Sequence, residues 1–386
     1  MKIKLSNKKF FLLLHSAIVL VISYLIVTCF LFNTNSLSFF SVLDESGDVP
    51  MSDMYMYFNS KRGPAKLGTN IILVSIDSCK DRSEIAKVIE QIDSLKPKVI
   101  GLDIFFKNRK EPKADAVLEN VIRKCESLVI PCELRDEQRE DNDKYNTCVS
   151  NFFVGQENHN FNEGFVNLDG NGFSTIRTFT PTLFLQKGKS FDTIYCFAAQ
   201  IVKLYNKTAF QKLLQRKGNL EIINFQPLWV KKIDKNAIEA NKEKITNKIV
   251  LIGSVSEDMH KTAIFSQMSG MEIHAYIIST IIEDKYIDKL DNFWTKVFNF
   301  LLCYLFALFC WVATTKFKKG IAILIKLVQV AILFLAFLAG RFLFNHFNID
   351  IAYTQTIIVM GVLILIVDIY NVFILFGSNL IFKLKK

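Results

Sequence analysis

The chain has 386 residues and a formal net charge of +10, with 51% hydrophobic and 22% charged residues. Its mean hydropathy of +0.25 is too high for an ordinary soluble protein, and its charged fraction is too high for a membrane bundle alone. The chain has 47 Lys/Arg and 37 Asp/Glu residues. The two end regions, residues 1–32 and 293–386, together contain thirteen of the basic residues and two of the acidic ones, so the net charge of the middle region is close to zero. We therefore expect no nucleic-acid partner, because the positive charge is confined to the hydrophobic ends.

Four hydrophobic stretches are long enough to cross a bilayer, which takes about 20 helical residues. We predict transmembrane helices at residues 10–32, 293–313, 321–344 and 351–376. We favour an uncleaved first helix over a signal peptide, because its apolar run is long and no small-x-small cleavage site follows it. The protein is thus predicted to be a multi-pass protein that has the lipid bilayer as a partner.

Lysines cluster before the first stretch, between the second and third, and after the fourth. The positive-inside rule places these three segments in the cytoplasm, at residues 1–9, 314–320 and 377–386. It places residues 33–292 and the short turn at residues 345–350 outside. The large region is therefore predicted to be an extracytoplasmic domain.

Three ionisable residues inside the predicted membrane helices, Lys326, Arg341 and Asp368, require an explanation, because charge in hydrocarbon is costly. Asp368 and Lys326 lie about 12 Å and about 8 Å from the inner ends of their helices, at a rise of 1.5 Å per residue. An antiparallel helix hairpin would pair them. Two other interpretations remain. Lys326 and Arg341, near opposite ends of the third span, could extend to the two interfaces, or Asp368 could bind a partner or transmit a signal.

The outer region has an α/β pattern. Residues 71–76 and 99–104 are apolar runs typical of buried strands, and residues 83–95 have helical spacing between them. This βαβ unit predicts a mostly parallel sheet, buried on both faces. Further strands are predicted at residues 128–130, 152–154, 165–168, 222–225 and 249–252. Further helices are predicted at residues 114–125, 193–205 and 271–282.

Polar residues follow three of the predicted strands. Asp77 and Asp103 each follow a parallel strand, and Asp258 and His260 follow the strand at residues 249–252. Carboxyl ends of parallel strands share one sheet edge, where ligands usually bind. We predict that these residues form a ligand-binding site, for a small ligand or for a metal of unknown identity. The alternative is that they cap helices and turns, as strand-end Asp residues most often do.

Five cysteines lie in the outer region, so at least one has no intramolecular partner. Cys132 and Cys148 flank a charged stretch, and we predict a disulfide between them. We find no nucleophile motif, zinc-protease helix, phosphate-binding glycine loop or dinucleotide fingerprint. We therefore expect no cofactor and no enzyme activity, although a membrane-bound hydrolase that uses the four strand-end residues remains an alternative.

Two segments resemble the opening and closing blocks of the type-two CHASE domain, an extracellular sensory module associated with bacterial cyclases and histidine kinases. They are residues 70–106 (NIILVSIDSCKDRSEIAKVIEQIDSLKPKVIGLDIFF) and 247–282 (NKIVLIGSVSEDMHKTAIFSQMSGMEIHAYIISTII). Residues 164–181 are similar to the family's Asp-x-Asp-Gly-x-x-Arg stretch, with matches at Asp169, Gly172 and Arg177. The family's closing Asp-x-His-x-Thr-Pro has Ala263 in place of its proline.

The resemblance implies a sensory protein of the bacterial inner membrane, with its domain in the periplasm or extracellular space. Family members commonly carry a kinase or cyclase after the last span, whereas this sequence stops at Lys386. We therefore expect signalling through a separate signalling or envelope protein, with an unknown small ligand and a homodimer as further expected partners. The alternative is a structural or assembly subunit of a cell-envelope complex.

Overall fold

The computed structural model describes most of the chain. The described residues are 2–32, 51–61, 66–135, 147–154, 161–168, 175–187, 190–216, 218–290, 293–316, 321–351 and 354–384. Asp169 and Gly172 of the family-like stretch lie outside them. Contacts divide the chain into two units. Met56–Ile287 form one, which we call the α/β domain, and Met1–Tyr55 with Asp288–Lys386 form the other, which we call the helical unit.

The helices, in chain order, are α1 (Lys2–Phe32), α2 (Met51–Ser60), α3 (Arg82–Ser94), α4 (Pro112–Lys124), α5 (Phe197–Tyr205), α6 (Lys207–Gln215), α7 (Lys242–Ile245), α8 (Gly270–Ile282), α9 (Phe293–Lys316), α10 (Ala322–Phe347) and α11 (Thr354–Leu384). The strands are β1 (Lys66–Ser75), β2 (Val99–Asp103), β3 (Leu128–Arg135), β4 (Thr147–Val149), β5 (Asn162–Phe165), β6 (Thr178–Phe179), β7 (Thr182–Lys187), β8 (Ser190–Tyr195), β9 (Glu221–Ile222), β10 (Leu228–Asp234), β11 (Ile249–Gly253), β12 (Met259–His260), β13 (Met268–Ser269), β14 (Asp288–Leu290) and β15 (Ile349–Ile351).

A seven-stranded sheet forms the centre of the α/β domain. Its order is β10-β1-β11-β2-β3-β4, and β5 pairs with β3 as well. All of these pairs are parallel except β3–β4. Parallel strands must be covered on both faces, which is why residues 71–74 of β1 and most of β2 and β11 are apolar. The predicted α/β class with a mostly parallel sheet is confirmed.

Helices cover the two faces of this sheet. On one face, α3 and α4 pack on alternate strand residues, with Ile89 and Leu118 buried against Val74 and Leu102. The intervening residues face α5 and α8, and Gly101 lies directly beneath Ile201 of α5. Successive side chains of a strand point to opposite faces, so each strand contributes to two separate cores.

Several predictions of local structure differ from what the chain adopts. The predicted strands at residues 165–168 and 222–225 share only Phe165 and Ile222 with the observed β5 and β9. Residues 152–154 form a turn, although Phe153 is buried in the core as a strand residue would be. The predicted helix at residues 193–205 begins only at Phe197, since β8 runs to Tyr195 and Cys196 caps α5. Strand β10, which the sequence pattern did not predict, pairs with β1 at the sheet edge and carries Lys231 and Lys232 there. Its charged residues hide the apolar pattern by which strands are recognised.

Cys132 and Cys148 are joined by a disulfide in the structure, with their Cα atoms 6.2 Å apart. They lie on the antiparallel neighbours β3 and β4, where Cys148 is opposite Leu134. The bond ties the short strand β4 to the sheet. Cys79, Cys125 and Cys196 of the same domain are not joined in disulfide bonds.

The helical unit contains four helices long and apolar enough to cross a membrane, as predicted. These spans are Lys9–Cys29, Phe293–Lys316, Ala322–Phe347 and Thr354–Phe376. Helices α1, α9 and α11 pack around a shared apolar core that includes Leu20, Phe306 and Leu363. The predicted turn at residues 345–350 is largely the end of α10 and the start of β15, with Asn348 in the left-handed conformation between them.

Lys326 and Asp368 meet within this unit. Lys326 Nζ lies 2.8 Å from Asp368 Oδ2 and also donates a hydrogen bond to the Ile364 carbonyl at 2.8 Å. The pair brings two opposite charges together in adjacent helices, which is the arrangement expected to reduce the cost of placing charge in hydrocarbon.

Candidate functional site

The carboxyl ends of β1, β11 and β2 are neighbours in the sheet. Ser75, Gly253 and Asp103 stand in register there, one on each strand. The chain leaves β1 and β2 towards α3 and α4, and it leaves β11 towards the small β12–β13 hairpin and α8. Two groups of polar residues consequently lie at one sheet edge, on opposite sides of it.

On the α8 side, four residues interact, which we call the His–carboxylate cluster: Asp103, Asp258, His260 and His274. Asp258 Oδ1 lies 3.0 Å from His260 Nε2. The charge of Asp258 acts on the other three residues. His274 is only 3% exposed, and its Nδ1 has no hydrogen-bond partner among the described residues. An unpartnered buried nitrogen is uncommon and needs an explanation.

Two glycines make room for this cluster. A Cβ atom at Gly270 would lie 2.5 Å from Asp258 Oδ2, and one at Gly253 would lie 3.2 Å from Asp103 Cβ. Asp258 itself has a φ of 53°, in the left-handed region that non-glycine residues rarely adopt. Such backbone strain persists only where surrounding contacts enforce it, and it is concentrated at functional sites.

The cluster shifts the pKa values of its members in opposite directions. Burial, with the nearby charge of Asp258, raises the pKa of Asp103 to about 7. Burial lowers the pKa of His274 to about 4. The close contact between Asp258 and His260 lowers the pKa of the carboxyl group and raises that of the imidazole. Groups with such divergent pKa values can exchange protons and hydrogen bonds with a ligand near neutral pH.

Asp77 takes no part in the cluster. Its Oδ2 accepts a hydrogen bond from the Val255 backbone N–H at 3.2 Å. Although burial opposes the shift, hydrogen bonds from Ser254 and Val255 lower the pKa of Asp77. The carboxylate thus ties the loop after β1 to the loop after β11, and it faces the other side of the edge.

That side holds a cleft of about 830 Å³, which we call the edge cleft. It lies between the loops after β1 and β2 and also touches the loop after β11. Its lining residues are Ile76, Asp77, Cys79, Lys80, Asp81, Arg82, Ile85, Ile104, Phe105, Phe106, Lys107, Asn108, Arg109, Lys110, Glu111, Ala114, Ser254 and Glu257. A volume of this size is typical of small-molecule sites, which occupy roughly 300–1,000 Å³.

The structure therefore brings three of the four predicted residues together and separates Asp77 from them. It adds His274, which the sequence pattern predicts to be a packing residue of an apolar helix and which does touch Phe197. The sequence did contain one indication of this role. His274 lies four residues after Gly270, one helical turn from the start of α8 and therefore on the same face of the helix. Among the described residues, no three carboxylate, imidazole or thiol groups converge closely enough to hold a metal ion.

Comparison with protein families gives one match. The model of the CHASE2 domain matches residues 24–315, which is well over half of the chain. Searches of curated proteins and of solved structures found no match. The matched range includes the edge cleft and the His–carboxylate cluster. The chain therefore belongs to the CHASE2 family of extracellular sensory domains.

Proposed function

We propose that this protein is a membrane-anchored sensor that receives its stimulus at the carboxyl edge of the sheet and passes the signal to a separate protein. The observation that carries this proposal is the His–carboxylate cluster. Helix capping does not account for it, since Ser269 already caps α8 through a full capping box with Glu272. The cluster has strained backbone, an unpartnered buried imidazole nitrogen and displaced pKa values.

The spans support a receptor in the membrane. Four apolar helices belong to the chain, and the distribution of lysines predicts that the α/β domain lies on the outer side. A signal received there must cross the bilayer through helices. We assign the Lys326–Asp368 pair to holding α10 and α11 together, so that a displacement of one helix moves the other.

Crosslinking in the native membrane tests this function. The full chain is crosslinked mildly, purified and analysed by mass spectrometry for retained proteins. We expect a kinase, a cyclase or a regulator, whose output changes when the cluster is altered by Asp258→Asn with His260→Gln. Glu243→Gln is the control, because this exposed carboxylate precedes β11 at the opposite end of the strand.

Other outcomes would overturn the proposal. Recovery of envelope assembly proteins would favour a structural subunit, and recovery of no protein would remove the separate partner. A regulator whose output is unaffected by the double substitution would exclude the cluster as the site of reception. Turnover of a substrate that disappears in His260→Gln would establish a hydrolase instead.

A further inference from the structure

The basic side chains of the edge cleft are concentrated on the loop after β2. Lys80, Lys107, Arg109 and Lys110 line the cleft, and none of them is ion-paired with a described residue. The acidic lining residues are also four: Asp77, Asp81, Glu111 and Glu257. Only Glu111 shares the loop after β2 with Lys107, Arg109 and Lys110, so this loop presents a local excess of positive charge to whatever enters the cleft.

The other charged lining residues are already engaged. Asp81 accepts hydrogen bonds from the Ser83 and Glu84 backbone N–H groups at 2.8 and 3.0 Å, which caps α3. Arg82 is paired with Asp115 at 2.6 Å, so its positive charge is already neutralised by a residue outside the cleft lining. Asp77 and Asp81 are hydrogen-bonded but still negatively charged, and both lie on the loop after β1 rather than on the basic loop after β2.

The basic loop after β2 is held in place from beneath. Arg82 donates to the Asn108 carbonyl at 2.7 Å, and the Lys110 backbone N–H donates to Asp115 Oδ2 at 2.9 Å. The Arg82 guanidinium also lies 4.9 Å from the centre of the Phe106 ring. A loop fixed in this way loses little conformational entropy when its side chains bind an anion.

Apolar side chains form the floor of the cleft. Ile76, Ile85 and Ile104 are only partly buried, and each packs on the core beneath α3 and α4. Phe105 lines the same space. A ligand that covered this floor would bury apolar surface while its charged end met the loop, a combination that is typical of small-molecule sites.

We propose that the edge cleft binds a small organic anion, whose carboxylate or phosphate group contacts Lys107, Arg109 and Lys110 and whose apolar part covers Ile76 and Ile104. This inference goes beyond the proposed function, because the edge cleft lies on the opposite side of the sheet edge from the His–carboxylate cluster. Arg109 supplies a planar guanidinium suited to bidentate contact with either anion.

Binding is measured on the full chain in nanodiscs. The probes are 3-phenylpropionate, phenyl phosphate and inorganic phosphate, with 3-phenylpropylamine as the cationic counterpart of the first. We expect both organic anions to bind and the amine to bind at least tenfold more weakly. The difference in affinity between phenyl phosphate and inorganic phosphate measures the contribution of the apolar floor. Equal affinity for the two would contradict the role assigned to that floor.

Lys107→Gln with Lys110→Gln is expected to weaken anion binding at least tenfold. Lys242→Gln with Lys244→Gln is the matched control, because it removes the same charge from exposed residues at the amino end of β11. An equal loss in the control, or anion binding that survives the cleft substitutions, would overturn the assignment. So would an amine that binds as tightly as the acid.

These results test the ligand proposed for the cleft independently of the proposed sensor function. If a signalling partner is retained but no organic anion binds, the ligand class is wrong and the sensor role stands. Anion binding that depends on Lys107 and Lys110, with no signalling partner recovered, would establish the cleft and remove the separate partner.

Discussion

The two sides of the sheet edge handle charge differently. In the edge cleft, charges are either exposed or fully paired, as in Arg82–Asp115, whose side chains are 8% and 5% exposed. In the His–carboxylate cluster, the charge state depends on pH, since the pKa of Asp103 is about 7 and that of His274 is about 4. Leu102 and Asp103 are adjacent, yet the strand pleat directs them to different sides. One sheet edge thus supports a permanently charged cleft and a titratable cluster.

The largest expected effect is on the cleft side. Asp115→Ala leaves Arg82 buried without its anionic partner, which costs about 3–5 kcal/mol of unfolding free energy. Chemical denaturation of the full chain, followed by circular dichroism, measures this loss.

The matched control is Arg82→Met with Asp115→Leu, which removes both charges and should restore most of the stability. If Asp115→Ala costs no more than the double substitution, the pair does not hold the loop, and the contrast between the two sides weakens.

The next effect is on the cluster side. Asp103 has a raised pKa, so the folded state retains a proton that the unfolded state has lost between pH 3.8 and about 7. The free energy of unfolding therefore falls as pH rises through this window. Because the Asp103 side chain keeps some solvent exposure, which screens part of the effect of burial, we expect Asp103→Asn to remove about 2 kcal/mol of this dependence.

Stability measured at intervals between pH 4 and 8 tests this expectation. Glu243→Gln, which removes an exposed carboxylate, should leave the pH profile close to that of the unmodified chain. An Asp103→Asn profile that coincides with the unmodified one would show that Asp103 is charged at neutral pH, as the cleft residues are.

His274 should show the opposite dependence, to a smaller extent. The pKa of His274 is lowered from 6.5 to about 4, so between these pH values the unfolded state binds a proton that the folded state does not bind. The free energy of unfolding thus falls as pH decreases from 6.5 towards 4. We expect His274→Phe to reduce this loss by about 1 kcal/mol, measured as the difference in stability between pH 7.5 and pH 4.5.

In the unmodified chain, Asp103 and His274 act in opposite directions between pH 4 and 6.5, so each substitution reveals the contribution of the other. The combination Asp103→Asn with His274→Phe should therefore be flatter in this range than either single variant. Two single variants with the same slope would mean that these groups do not titrate as a cluster.

The smallest effect concerns the helical unit. Asp368→Asn removes the charge that pairs with Lys326, but Lys326 keeps its hydrogen bond to the Ile364 carbonyl. We expect a loss of about 1 kcal/mol, in the range of polar contacts between membrane helices. Thermal stability in nanodiscs measures it, with Lys326→Met combined with Asp368→Leu as the charge-free control. If Asp368→Asn changes neither assembly nor signalling, then neither pairing nor transmission is the role of Asp368.

The sequence alone determined the layers of this protein. A bilayer requires about 20 apolar residues per helix, so the four spans are visible as composition. Parallel strands buried on both faces are visible as apolar runs, as in residues 71–74 of β1 and in β2 and β11. These features depend on local composition, which a single segment displays by itself.

Only the tertiary structure decided how the edge residues are grouped. Asp77, Asp103 and Asp258 all follow strands, but the pleat and the path of each loop assign Asp77 to the cleft and the others to the cluster. His274 and β10 were missed because each acquires its role from a neighbour distant in sequence: His274 from Asp258, and β10 from β1. The physical reason is that the side on which a residue lies depends on strand pairing and helix packing, which local sequence patterns do not contain.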